Sequence, residues 1–190
     1  MNQRFPVVTV FGSSRPRPGD SRYAEAQALG AVLAARGLAV CSGGYGGVME
    51  AVSRGAREAG GRTLAVTARA FQSRANPWIE REIRVSTWRE RLFQLIARGR
   101  GYVACPGGTG TLVELAVVWE MLSKGAMKKK PLVVLGDFWQ PVIDRVLFAE
   151  FGQSSRRTFS GEPLVHVAHS PEAAAEFFAA HFAPAKAAKP

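Results

Sequence analysis

Short apolar runs alternate with helix-like segments along the whole chain, and this alternation constrains the fold most strongly. The strand-like runs lie at residues 5–11, 38–41, 63–67, 82–86, 101–105, 131–135 and 163–167. Segments with apolar residues at helical spacing separate them, at residues 21–36, 48–59, 87–98, 111–123, 141–151 and 171–182. Continuously apolar strands are typical of a parallel sheet that is covered on both faces. The sequence therefore predicts an α/β fold, with a Rossmann-like, doubly wound, mainly parallel sheet flanked by helices in three layers.

The size of the chain fits one domain. Its 190 residues, 47% of them hydrophobic, suit a single core. We expect that domain over residues 1–183 and a flexible tail over residues 184–190. The N-terminus carries no signal-peptide pattern, and no apolar run approaches the roughly 20 residues that span a bilayer. We therefore expect a cytoplasmic protein without a membrane partner.

The net charge of +10 calls for an explanation. Basic residues often mark a nucleic-acid-binding protein, but here the arginines are scattered and the only dense basic run is Lys128-Lys129-Lys130. No zinc finger, RNP motif or clear helix-turn-helix is present. We interpret the charge as a solvated surface, part of which faces an anionic small ligand. Nucleic-acid binding stays open as another hypothesis. It predicts that binding to DNA or RNA weakens steeply as the salt concentration rises.

Three loops rich in small residues follow strands and precede helices. They are Gly12-Ser13-Ser14, the loop from Ser42 to Gly47, and the loop Pro106-Gly107-Gly108-Thr109-Gly110-Thr111. Loops at the carboxyl ends of parallel strands share one edge of the sheet, where ligands bind at a switch in strand order. Glycine lets the backbone approach a ligand, and the first turn of the next helix offers free N–H groups to a phosphate.

The third of these loops is the strongest candidate for a phosphate site, because its hydroxyls can also donate hydrogen bonds. The residues predicted to bind phosphate are Gly107, Gly108, Thr109, Gly110 and Thr111. The loop lacks the Gly-Lys-Ser/Thr ending of a Walker A motif, and no Gly-x-Gly-x-x-Gly fingerprint follows the first strand. The pattern thus argues against P-loop hydrolysis of a triphosphate and against a standard NAD enzyme.

Glu114 has two interpretations. Thr111 and Glu114 have the spacing of a capping box, with Thr111 as the N-cap and Glu114 at the third helical position. Alternatively, the Glu114 carboxylate lies beside a bound phosphate and acts in cleavage of a glycosidic bond, by orienting water or stabilising a cationic sugar.

Other side chains near the predicted site also have two interpretations. Arg89 and Arg91 could bind a phosphate or carboxylate, or could belong to a solvated helix face. Tyr23, Tyr45 and Trp88 could stack on a base or simply pack. We interpret Cys41 and Cys105 as small, reduced core residues rather than nucleophiles.

The motifs resemble those of the LONELY GUY (LOG) family, the cytokinin riboside 5′-monophosphate phosphoribohydrolases once labelled possible lysine decarboxylases. The segment from Pro106 to Glu114 matches the family's Pro-Gly-Gly-x-Gly-Thr-x-x-Glu signature, and the resemblance extends over roughly residues 7–150. Gly12 and Ser13 lie in its first loop, and Gly43, Gly44 and Met49 lie in its second glycine segment.

The resemblance implies ligand contacts for these loop residues and catalytic roles for two others. Glu114 and Arg91 would act on the N-glycosidic bond, and Arg89 takes the place of Arg91 if the helix is shifted. The family's lysine and methionine after the arginine are Leu92 and Leu95 in this chain.

The resemblance also implies an activity and its partners. The expected substrate is a purine nucleoside monophosphate, AMP or an N6-modified AMP of cytokinin biosynthesis, which yields a base and ribose 5-phosphate. It implies a homodimer with no metal and no cofactor. The alternative is a nucleotide or molybdenum-cofactor carrier on the same fold, which binds without turnover.

The older decarboxylase label does not suit the chain. A pyridoxal-phosphate enzyme needs a lysine for its Schiff base. Every lysine lies at or beyond position 124, and none lies in a glycine loop.

Overall fold

The computed structural model of the chain describes residues 5–151 and 163–183. The strands are β1 (Val7–Phe11), β2 (Ala39–Ser42), β3 (Thr63–Ala68), β4 (Arg81–Val85), β5 (Gly101–Ala104), β6 (Leu132–Leu135) and β7 (Val165–Ala168). The helices are α1 (Ser21–Ala35), α2 (Val48–Glu58), α3 (Trp88–Arg98), α4 (Thr109–Ser123), α5 (Gln140–Phe151) and α6 (Pro171–Phe182). The predicted tail at residues 184–190 lies outside the described residues.

All strand pairs are parallel, and the strands form one sheet in the order β4-β3-β2-β1-β5-β6-β7. The chain builds outward from β1 to β4 on one side and then returns to the other side of β1 with β5. The strand order therefore switches between β1 and β5, which is where such sheets bind ligands.

The two faces of the sheet are both covered, which confirms the predicted three layers. Val8, Val40 and Val133 point into one core cluster, which α1, α2 and α6 complete. Phe11, Cys41 and other side chains point into a second cluster, which α3, α4 and α5 complete. Burial on both faces explains why most strands are continuously apolar. The edge strand β4 is exposed enough to carry Arg81, Glu82 and Arg84, charges that discourage pairing with another sheet.

The basic run at residues 128–130 does not form a uniform exposed patch. The Nζ atom of Lys130 donates hydrogen bonds to the carbonyl of Gly99 (2.6 Å) and to the hydroxyl of Tyr102 (3.0 Å). Burial lowers the pKa of Lys130, and the charge of Arg100 adds to this effect. Lys130 therefore fixes the turn before β5.

Within the part of the chain that the structure describes, no helix is both long and apolar enough to cross a bilayer.

Candidate functional site

A cavity of about 1080 Å³ lies at the carboxyl ends of the strands, over the switch between β1 and β5. All three predicted glycine loops contribute to its wall. The predicted site residues that line it are Gly12, Ser13, Gly43, Met49, Arg91, Gly107, Gly108, Thr109, Gly110, Thr111 and Glu114. Side chains far apart in the sequence are thus brought together at one edge of the sheet.

The floor of the cavity is the loop between β5 and α4. Helix α4 begins at Thr109, with Gly108 as an N-cap that receives no side-chain hydrogen bond. The first N–H groups of a helix have no acceptor inside it and carry a partial positive charge. A Cβ atom added at Gly108 or Gly110 would meet nothing within 4 Å. The first turn of α4 is therefore open to a ligand, as a phosphate site requires.

The predicted capping box of α4 is wrong. The helix starts two residues earlier than expected, so Thr111 is its third residue and Glu114 lies a turn further in. At that depth the Glu114 carboxylate cannot fold back to the N-cap. The chain does contain a capping box, but in α3, where the Thr87 hydroxyl accepts from the Glu90 N–H (3.1 Å) and the Glu90 carboxylate accepts from the Thr87 N–H (3.2 Å).

Glu114 is instead a largely buried acid at the wall of the cavity. Its side chain is 15% exposed, and its Oε1 atom lies 3.6 Å from Nη1 of Arg91. Burial raises the pKa of Glu114 to about 7, although the positive charge of Arg91 acts in the opposite direction. A carboxyl group with a pKa near neutrality can both hold and release a proton at physiological pH, as an acid–base catalyst must.

Arg91 is buried among groups from several elements. Its Nε atom donates to the carbonyl of Val66 within β3 (3.0 Å), and Nη2 lies 3.8 Å from the sulfur of Met49. Its guanidinium carbon lies 5.4 Å from the ring centroid of Tyr45 and 5.6 Å from that of Phe71. These aromatic rings and the Glu114 carboxylate compensate for the burial of the charge.

The second glycine loop leaves the space that Arg91 occupies. A Cβ atom at Gly43 would lie 1.7 Å from Nη2 of Arg91, so no larger residue fits there without displacing the arginine. Gly47 has a φ of +70° and allows the Val48 N–H to donate to the carbonyl of Ser13 (2.8 Å). This hydrogen bond ties the second loop to the first.

Residues 69–77, which lie between β3 and β4, complete the site. Phe71 and Ser73 line the cavity. The Asn76 Nδ2 atom donates to the carbonyls of Gly44 (3.1 Å) and Tyr45 (3.0 Å), and the Tyr45 hydroxyl accepts from the Ala68 N–H (2.9 Å). These contacts depend on the tertiary fold, and the only local signal was Asn76 before Pro77.

Several predicted residues lie elsewhere. Arg89 is exposed and does not line the cavity, because it lies on the solvent side of α3, whereas Arg91 faces inward. Gly44 also lies behind the cavity wall, where its N–H donates to the Ser42 hydroxyl (3.1 Å). Leu92 and Leu95, which replace the family's lysine and methionine, are core residues.

The structure also locates the aromatic residues, for which the sequence left the role open, and the cysteines. Trp88 lines the cavity and is exposed, whereas Tyr23 is buried outside it. Burial raises the pKa of both Cys41 and Cys105 to about 12, so both are unreactive core thiols as interpreted. Among residues 5–151 and 163–183, no group of three or more His, Cys, Asp or Glu side chains could hold a metal ion.

The two glycines at positions 107 and 110 should respond differently to alanine. A Cβ atom at Gly107 would lie 2.2 Å from the Thr111 hydroxyl, so we expect Gly107→Ala to destabilise the protein by about 1–3 kcal/mol. Gly110→Ala is the matched control, because its Cβ would enter open space in a helical turn. Urea unfolding measures both variants, and an equal loss of stability would contradict the packing role of Gly107.

Comparison with known proteins identifies relatives that are named as phosphoribohydrolases and a similar structure that is named as a molybdenum cofactor binding protein. A cytokinin riboside 5′-monophosphate phosphoribohydrolase of Mycobacterium marinum is 38% identical over 117 residues, 60% of this chain and 62% of that protein. A probable cytokinin riboside 5′-monophosphate phosphoribohydrolase of Oryza sativa subsp. japonica, LOGL9, is 31% identical over 86% of this chain and 77% of that protein.

The structure of the molybdenum cofactor binding protein of Rippkaea orientalis is also similar, with a TM-score of 0.73 and 25% identity over 94% of this chain and 98% of that one. The model of the SLOG cluster4 family matches residues 6–168. The fold and the resemblance to LOG proteins are thereby confirmed, and the chain belongs to the SLOG cluster4 family.

Proposed function

We propose that this protein is a nucleoside 5′-monophosphate phosphoribohydrolase that cleaves the N-glycosidic bond of AMP or an N6-modified AMP. The observation that carries the proposal is the largely buried Glu114 carboxyl, which lines the cavity next to the open first turn of α4 and has a pKa raised to about 7. The relatives named as phosphoribohydrolases support the same reaction class.

The chemistry follows from the arrangement of these groups. The 5′-phosphate binds the N–H groups and hydroxyls of residues 107–111, which directs the ribose toward Glu114. As the bond between C1′ and the base nitrogen breaks, the ionised Glu114 stabilises the cationic sugar and accepts a proton from the attacking water. The water oxygen bonds to C1′, the base takes up a proton from solvent as it leaves, and Glu114 then releases the proton that it accepted to solvent. Arg91 holds the carboxylate in place and favours its ionised form.

The direct test is base release from AMP by the purified protein, with ribose 5-phosphate measured as the second product. Equal amounts of adenine and ribose 5-phosphate are expected. Adenosine, which lacks the phosphate, is the matched substrate and should react far more slowly. Failure to release a base from any purine monophosphate would overturn the proposal.

A second candidate function is a nucleotide or cofactor carrier without turnover. The likeness to the molybdenum cofactor binding protein, over almost the full length of both chains, favours it. A carrier would be stabilised by nucleotide, since a ligand that binds only the folded state raises its stability, but it would form no product.

We also propose that the protein works as a homodimer. Trp88 and Phe93 of α3 and Leu112 of α4 are large apolar side chains that are 46%, 49% and 36% exposed, on helices that cover the same face of the sheet. Such surfaces favour association. We expect Phe93→Asp to yield a monomer in light scattering after gel filtration. The control is Phe148→Asp, which changes an exposed phenylalanine on α5 and should leave the mass unchanged. A wild-type protein that is already monomeric would contradict the proposal.

A further inference from the structure

The cavity has more room than the proposed reaction uses. Its volume of about 1080 Å³ lies just above the roughly 300–1,000 Å³ that is usual for small-molecule pockets. The groups assigned so far account for its floor and one side. Arg91 lies there against Tyr45 and Phe71, whose segments follow β2 and β3.

Two further arginines, one in the first loop and one in α1, also line the cavity. Arg15 and Arg22 both belong to its wall. The guanidinium carbon of Arg22 lies 5.4 Å from the ring centroid of Phe138, in the segment after β6. Because β6 lies beyond β5 in the sheet, Arg22 extends on the far side of the phosphate loop from Arg91.

Among residues 5–151 and 163–183, neither of these two arginines has an anionic partner. None of the ion pairs among the described residues includes Arg15 or Arg22. Asp20 is the carboxylate on this side, and it accepts a hydrogen bond from the backbone N–H of Arg17 (2.7 Å). The hydroxyls of Ser14 and Ser21 line the same region. Unpaired guanidinium groups and hydroxyls facing one cavity are the donors that a phosphate group needs.

We propose that this side of the cavity, lined by Arg15 and Arg22, binds a second phosphate group, so that nucleoside 5′-diphosphates are ligands of this protein. The inference rests on the proposed function in one respect, the placement of the 5′-phosphate on residues 107–111. With the base on the Arg91 side and that phosphate on the floor, a chain of phosphates continues away from the base. The next phosphate then reaches the arginines.

Binding of three nucleotides tests this subsite. Dissociation constants for AMP, ADP and adenosine 3′,5′-bisphosphate are measured by calorimetry at one low ionic strength, since salt screens exposed charges. The Glu114→Gln background is used so that turnover does not consume the ligand. ADP should bind about tenfold more tightly than AMP, as charge-assisted hydrogen bonds to one more phosphate imply. Adenosine 3′,5′-bisphosphate carries its second phosphate on the ribose and should show no such gain.

Arginine variants assign the gain to the subsite. In the double variant Arg15→Ala/Arg22→Ala, ADP should bind no more tightly than AMP, while the affinity for AMP changes by less than about twofold. Arg17→Ala is the matched control, because Arg17 is an exposed arginine of the same loop that does not line the cavity. An ADP affinity no higher than that for AMP, an equal gain for the bisphosphate, or an equal loss in Arg17→Ala would each overturn the subsite.

These outcomes separate the subsite from the proposed activity. A protein that binds ADP more tightly than AMP but releases no base from any purine monophosphate supports the subsite and overturns the hydrolase. A protein that releases base from AMP but binds ADP no more tightly than AMP supports the hydrolase and overturns the subsite. Absence of binding for all three nucleotides overturns both proposals.

Discussion

Replacing Glu114 by glutamine is expected to abolish base release and, at the same time, to stabilise the fold at pH 8. Burial raises the pKa of this carboxyl from an ordinary value of 4.5 to about 7, so its ionisation in the folded protein is costly. At about 1.4 kcal/mol per pH unit, that shift corresponds to a penalty on the order of 3 kcal/mol at pH 8. Glutamine has the same shape but no charge to bury. A stability cost of this kind is common where a functional group requires an unfavourable environment.

The destabilising contribution of Glu114 to the free energy of unfolding should grow as the pH rises. Between about pH 4.5 and pH 7 the folded protein retains a proton that the unfolded chain has lost, so the contribution of Glu114 to stability falls as the pH rises through this window. Below the window both states are protonated, and above it the full penalty applies. The free energies of unfolding of wild type and Glu114→Gln should therefore agree near pH 4 and differ most near pH 8, as measured in urea.

The matched control is Glu120→Gln, the same change at an exposed position of the same helix, which should leave stability and base release unchanged. A constant difference in stability between Glu114→Gln and wild type from pH 4 to pH 8 would contradict the raised pKa. A folded Glu114→Gln variant that still releases base would contradict the catalytic role.

Replacing Arg91 by methionine is expected to destabilise the protein by about 3 kcal/mol at pH 8 and to abolish base release. The change removes one partner of a buried charge pair and leaves the other uncompensated. It also removes the hydrogen bond to the carbonyl of Val66. Because the positive charge of Arg91 lowers the pKa of Glu114, its removal should raise that pKa further above 7. Urea unfolding at pH 8 measures the loss, and a carbon-13-labelled glutamate signal reports the titration of Glu114.

The control for this variant is Arg89→Met, on the same helix but exposed, for which no loss is expected. Placed in the Glu114→Gln background, Arg91→Met should cost less than in wild type, since no buried carboxylate is left unpaired. Equal costs in the two backgrounds would show that the two side chains do not interact. Equal losses in Arg89→Met and Arg91→Met would contradict the assignment of Arg91 to the site.

The fold could be predicted because each strand carries its own local evidence. A run such as Leu132–Leu135 is buried on both faces of the sheet and is therefore continuously apolar in the sequence. The glycine loops between strands and helices could also be recognised locally, because each is a short contiguous segment, and they marked the ligand edge of the sheet. The start of α4 was less predictable, because Gly108 caps it without a side-chain hydrogen bond and the sequence favoured the hydroxyl of Thr111 instead.

The contacts of the site could be predicted only in part. The loop from Gly107 to Thr111 is contiguous, so its motif is visible in the sequence. The partner of Glu114 is not visible, because Arg91 belongs to another helix and a second arginine lies two positions away. The role of residues 69–77 was also hidden, since it depends on hydrogen bonds from Asn76 to a loop about thirty residues earlier.

The position of Arg91 has a consequence for the order of events during synthesis. The groups that hold it come from β3, α2, α4 and the segments that carry Tyr45 and Phe71. A nascent chain that has emerged only as far as β5 lacks Glu114 and the loop from Gly107 to Thr111, so it lacks two parts of the proposed site. The cavity is therefore completed only after α4 has been synthesised and has packed against the earlier elements.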